Sequence, residues 1–193
     1  MATEVELRFV NVDIPQLEVR LGLIGATFLS SVTLREVRFA GLSGGPREYI
    51  RARDDGRCVK LQHKVHDPVG HGAIERELPL DPAADLDTAV EFLAGLGLRG
   101  RHLIERRRAQ YTLGRATISI DQFPRIPPHV EVEAESLEDV HAACAQLGLD
   151  PATIPLRGIA DIYRQHGITL ESGDVAFTEA ERRAFPPPRF GIG

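Results

Sequence analysis

The chain has 193 residues, 42% of them hydrophobic and 26% charged, with a formal net charge of −5. That length suits one domain with a sizeable core, no stretch approaches the roughly 20 apolar residues of a membrane span, and the acidic balance excludes a general nucleic-acid binder, which needs a basic face. Cys58 and Cys144 are too few for a disulfide framework and read as buried or half-buried thiols, and Glu4 and Glu6 stand where a signal peptide would be basic, so a cytoplasmic protein without membrane contact is expected.

The first residues alternate, Glu4, Glu6 and Arg8 on one face and Val5, Leu7 and Phe9 on the other, which predicts a strand. Asp13-Ile14-Pro15 then predicts a helix start, with Leu17, Leu21 and Ile24 as its apolar stripe and Gly25 as its stop. Thr27 to Phe39 is β-branched and aromatic enough for a second strand, and 42–46 is a glycine-rich loop. Arg47 to Arg53 and Arg57 to His66 predict a hairpin around Asp54-Asp55-Gly56. After Gly70-His71-Gly72 comes a strand from Ala73 to Leu80, then a helix within Asp85 to Leu98.

Three further strands follow at 101–113, 115–121 and 129–135. Ser136 caps a helix ending near Gly148, and a short helix covers Ile159–His166. One domain is expected over 1–170. The tail, 171–193, is expected to be partly disordered or to hold one helical piece near Thr178–Phe185. About eight strands joined by short turns favour antiparallel pairing, and eight is a number that closes into a barrel able to hold one small ligand.

Charge repeats with period two along these strands. Glu4, Glu6 and Arg8 are followed by Arg51 and Arg53, then Lys60, Gln62 and Lys64, then Glu75 and Glu77. Arg106 and Arg108, then Thr117, Ser119 and Asp121, then Glu131, Glu133 and Glu135 complete the set, and most intervening positions are apolar. One account is an antiparallel sheet with one solvated face. Against it, Glu and Arg dominate the alternate positions, and acids and bases segregate by strand. Paired carboxylates on a strand can converge on hard cations such as Mg²⁺ or Mn²⁺, and paired arginines offer forked donors to phosphate oxygens. A triphosphate-bearing small molecule with its cations needs both.

At these residues the chain resembles the CYTH superfamily of triphosphate tunnel enzymes. Glu4-Val-Glu6-Leu-Arg8 looks like its ExExK signature, Tyr49-Ile-Arg51-Ala-Arg53 like its L-R-x-R strand, and Lys60 to Lys64 like the lysine-ended partner. Arg76-Glu77 with Glu75, Arg106-x-Arg108-x-x-Tyr111, Asp121 and Val130-Glu131-Val-Glu133 continue the resemblance in order over residues 3–135, with a looser echo at Asp161-Ile-Tyr163. The resemblance implies an α+β fold: an eight-stranded antiparallel tunnel with helices packed outside. It implies that Glu4, Glu6, Glu77, Asp121, Glu131 and Glu133 hold the metal, and that Arg8, Arg51, Arg53, Lys60, Lys64, Arg106 and Arg108 grip the phosphates.

Two signature lysines are arginine here, Arg8 and Arg106, and arginine does not serve as a base. A side-chain base would then have to be Lys64 or Lys60, or a metal-bound water needs no lysine, and Lys64 and Arg8 are the expected catalytic residues. Arg35-Glu-Val-Arg38-Phe39 departs from the Q-x-D-x-Y-F of many relatives, so an aspartate and a tyrosine are expected to be missing near one mouth. His129 shares parity with Glu131 and is expected to face solvent. Three activities fit: hydrolysis of a triphosphate, a class IV adenylyl cyclase reaction, and polyphosphate or nucleotide sensing without turnover. A homodimer is expected by analogy with small barrel enzymes.

Overall fold

The computed structural model describes residues 2–42, 48–66, 72–152, 159–169 and 174–184. Most of the 42–46 loop, the Gly70-His71 step and the prolines of the tail lie outside them. The described strands are β1 (Ala2–Phe9), β2 (Thr27–Ala40), β3 (Glu48–Asp54), β4 (Val59–His66), β5 (Gly72–Pro79), β6 (Gly100–Leu113), β7 (Ala116–Gln122) and β8 (His129–Ala134). The helices are α1 (Ile14–Leu23), α2 (Leu86–Gly95), α3 (Leu137–Leu147), α4 (Ile159–Gln165) and α5 (Glu179–Ala184). No helix among the described residues is long and apolar enough to cross a membrane.

Every strand is antiparallel to two neighbours, in the order β1-β5-β4-β3-β2-β6-β7-β8, and the β1–β8 pairing closes the barrel. Short connections make the hairpins from β2 to β5 and from β6 to β8, and the long-range pairings β1–β5, β1–β8 and β2–β6 join them into a ring. Asp55 Oδ1 accepts from the amides of Arg57 and Cys58 in the β3–β4 turn. Gly114, at φ 60°, supplies the left-handed residue of the β6–β7 turn.

Directly opposed residues of two strands share a face. Glu6 faces Glu133 and Arg8 faces Glu131, Arg53 faces Glu36 and Lys60, and Arg108 faces Asp121. The ionic residues therefore occupy one face of a closed sheet. The opposite face packs under the helices. Leu7, Ile118, Ile120, Val130 and Val132 are buried against Leu17 and Leu21 of α1 and Val140 and Leu147 of α3, while Phe39, Ala52 and Val59 pack on Leu86, Ala89 and Leu93 of α2. The apolar core is thus outside the barrel and the charge inside it.

The helices covering that core are capped, two of them at the expected Asp13 and Ser136. Asp13 accepts from the amide of Gln16, Asp85 from Thr88 and Ser136 from Asp139, and Gly148 ends α3 in the left-handed conformation. Because the helices hold the outer face of the strands, a cavity beneath α1 is expected to loosen the barrel. Leu21→Ala, at a side chain 1% exposed, is expected to cost about 2–5 kcal/mol, read as a lower denaturation midpoint in urea.

β6 runs past the end of β7, and the chain near its C-terminus takes up the free edge. The amide of Val175 donates to Leu103 O and that of Glu105 to Val175 O, each at 2.8 Å. Ile104 and Phe123, which continue the inward positions of Arg106 and Asp121, meet Ile162 and Tyr163 of α4 in a third apolar cluster. The Tyr163 hydroxyl donates to Pro124 O at 2.7 Å. This cluster closes one end of the barrel.

Candidate active site

The lumen divides into two sides. On β1, β7 and β8 stand Glu6, Asp121, Glu131 and Glu133, and two arginines bind them together. Arg8 Nε donates to Glu131 Oε1 at 2.7 Å and Arg8 also pairs with Glu6. Arg108 grips Asp121 through Nε at 2.7 Å and Nη2 at 2.5 Å, and reaches Glu131 as well. Burial alone would raise the Glu131 carboxyl, but Arg8 and Arg108 hold it well below the usual range. Glu6 is raised instead, by burial and then by the charge of Glu131, which outweigh the attraction of Arg8.

On the other side Gln62 is a hub. Its carbonyl accepts from Arg51 at 2.6 Å, and its amide donates to Glu75 at 2.5 Å and Glu77 at 2.6 Å. Lys64 pairs with Glu75 at 3.3 Å and Lys60 with Glu77 at 2.9 Å. Glu36, 2% exposed, binds Arg51 at 3.0 Å and Arg38 at 2.7 Å; burial would raise its carboxyl, and Arg51 with Arg38 pulls it far down.

Arg53 and Arg106 differ from their neighbours. Each has a buried Nε without a hydrogen-bond partner. Burial and then the like charges of Arg51 and Arg106 push Arg53 down to about 10; burial and then Arg108 lower Arg106. Both guanidiniums remain charged at neutral pH, so the lowering records first the burial of a charge and then the arginines beside it, which together outweigh the nearby acids. Beside Arg53, Lys60 and Arg108 a cavity of about 140 Å³ forms, away from the end that α4 closes.

The expected site residues thus meet in one lumen with three qualifications. Glu4 lies on β1 opposite Ala73, and its side chain is outside the described residues. Glu77 sits across the lumen among Lys60, Gln62 and Arg53. Asp121 has both oxygens engaged by Arg108. Among the described residues the group whose ligand atoms converge within 4.8 Å is Asp121, His129 and Glu131, all buried. The oxygens of Glu131 are engaged by Arg8 and Arg108 as those of Asp121 are by Arg108, and Glu6, raised by burial and then by Glu131, stands opposite Glu133 on the neighbouring strand.

One expectation is corrected. His129 is 1% exposed, stacked on Phe123 with ring centroids 5.5 Å apart, because the α4 end of the barrel is closed over it. No aspartate or tyrosine stands in the 35–39 stretch, but an inward carboxylate does: Glu36, buried opposite Arg53 and Ile104. Gln62 and Glu75 also belong to the site, and both lay on the period-two face.

No protein-family model matches the chain, and no curated protein matches it in sequence. Solved structures do match. A conserved hypothetical protein of Pyrococcus furiosus has TM-score 0.70 at 20% identity, over 82% of this chain and 98% of its own. A candidate adenylate cyclase of Vibrio parahaemolyticus has TM-score 0.68 at 14% identity, over 84% and 98%. HpAC1 of Hippeastrum, a candidate adenylyl cyclase with a dominant triphosphatase activity, has TM-score 0.55 at 13% identity, over 88% and 98%.

Proposed function

On the premise that the chain has a CYTH-superfamily fold, we propose that it is a metal-dependent triphosphatase. In this reading the triphosphate lies in the lumen, and water attacks its terminal phosphorus as the bridging P–O bond breaks, giving orthophosphate and the diphosphate. The observation that carries the proposal is the pair Arg53 and Arg106: buried guanidiniums with unpartnered Nε donors, each with a neighbouring arginine and with its ion-paired carboxylate no nearer than 3.6 Å, Glu77 for Arg53 and Asp121 for Arg106. An oligoanion would remove both penalties, which is the behaviour of a preorganised anion site. HpAC1, which shares the fold, has a dominant triphosphatase activity.

In the proposed mechanism Arg53, Arg106 and Arg51 bind the phosphate chain, and Arg8 and Arg108 span from the chain to the acids of β1, β7 and β8. A divalent cation (Mg²⁺ or Mn²⁺) held by Glu6, Glu131 and Glu133, with Glu4 on the same strand, would supply charge neutralisation at the reacting phosphorus. Lys64 and Lys60 are paired to Glu75 and Glu77, and as ammonium groups they add donors to the phosphate oxygens. Orientation and charge stabilisation then supply most of the rate.

The test is to incubate the protein with Mn²⁺ or Mg²⁺ and ATP, thiamine triphosphate or tripolyphosphate, and to resolve the products. Release of orthophosphate is the expected result. Cyclic AMP with pyrophosphate would replace this reading by a cyclase, and binding without turnover would replace it by a sensor.

A further inference from the structure

The inward positions of β2 change character along the strand. Arg38 and Glu36, opposite Arg51 and Arg53, are ionic. Leu34 and Val32, opposite Arg106 and Arg108, are aliphatic, and Ser30 follows, opposite Gln110. Leu34 is 5% exposed, yet neither it nor Val32 belongs to the apolar clusters that pack the outer face and the closed end. Both line the 140 Å³ cavity, together with Ser30 and Gln110 and with the charged Arg53, Asp55, Arg57, Lys60 and Arg108. A lumen otherwise built for ions therefore carries one apolar wall at its accessible end.

For a bare polyphosphate chain this wall is a defect. Phosphate oxygens pressed against Val32 and Leu34 would lose water and gain no donor. An organic group would instead bury apolar surface there, at about 25 cal/mol per Å², with Ser30 and Gln110 available to its polar edge. Resting on the triphosphatase reading, we infer that the substrate is a triphosphate monoester whose organic group, a heterocycle or similar compact body, sits on Val32 and Leu34. Its phosphates run inward past Arg53 and Arg108. Val32 and Leu34 are then specificity-determining residues, and inorganic tripolyphosphate is the poorer substrate despite its larger charge.

The experiment compares ATP, thiamine triphosphate and tripolyphosphate with the Mn²⁺-loaded protein. At least one ester is expected to exceed tripolyphosphate in kcat/KM by about tenfold or more, and Val32→Ser is expected to reduce that ratio by about tenfold. Tripolyphosphate matching or exceeding both esters in the native protein overturns the inference, as does a Val32→Ser variant that melts normally and keeps the ratio. If nothing is turned over, equilibrium binding of the same three probes decides. Tighter binding of an ester upholds the apolar subsite while the triphosphatase reading falls, and tighter or equal binding of tripolyphosphate overturns the inference.

Discussion

A Glu6→Gln variant is expected to lose triphosphate turnover by about 100-fold or more while melting at the same temperature as the native chain, or higher. Glu6 is buried beside Glu131, and both facts raise its proton affinity above that of an unfolded chain. A group whose folded pKa is raised favours the folded state in acid and penalises it once ionised. In the native protein that penalty is absent below about pH 4.5, the ordinary value for the residue, and grows as the pH rises through the folded value. Glutamine keeps the shape and removes the charge, so its stability advantage appears at neutral pH and vanishes in acid. Turnover falls because the carboxylate proposed to hold the cation is gone. Phosphate release at saturating Mn²⁺ and thermal melts from pH 7.5 to pH 4 measure the two effects. Undiminished turnover would remove Glu6 from the site, and a variant destabilised at neutral pH would show that Glu6 serves the fold instead.

A residue that costs stability and carries activity is where local sequence reasoning and function meet. The period-two alternation of Glu6 and Arg8 around Leu7 was legible without coordinates, as were the helix caps at Asp13 and Ser136. Alternation says only that two faces differ, however. Which face is enclosed depends on the β1–β8 pairing and on α1, α2 and α3 covering the apolar side, and both are long-range. His129 shows the limit. Its parity was readable, but its ring stacks on Phe123, which in turn packs against a helix, α4, that begins thirty residues later. The hub role of Gln62 was hidden for a related reason: it reaches Arg51, Glu75 and Glu77 only because β4 lies between β3 and β5.

Arg53 and Arg108 are both inward arginines at period-two positions, and their alanine variants are expected to behave differently. Arg108 holds two oxygens of Asp121 and one of Glu131. Removing it leaves buried carboxylates without their counter-charge, a loss of about 3–5 kcal/mol of stability, and weakens triphosphate binding as well. Arg53 has only Glu77, at 3.7 Å, as an ionic partner, and its Nε is unpartnered. Its removal relieves crowding with Arg51 and Arg106, so Arg53→Ala is expected to melt no lower than the native protein. A charge-assisted hydrogen bond contributes about 1.5–3 kcal/mol, which corresponds to tripolyphosphate affinity falling by about 10-fold to 150-fold in that variant. Arg20→Ala, on α1 outside the barrel, is expected to leave affinity unchanged. Calorimetric titration with tripolyphosphate, together with thermal melts of the three variants, separates the roles. Equal affinity losses for Arg53→Ala and Arg20→Ala would mean that the uncompensated guanidinium is not where the anion binds. If Arg53→Ala instead proved as unstable as Arg108→Ala, Arg53 would be a strut of the barrel, and the unpaired donor would no longer mark a ligand site.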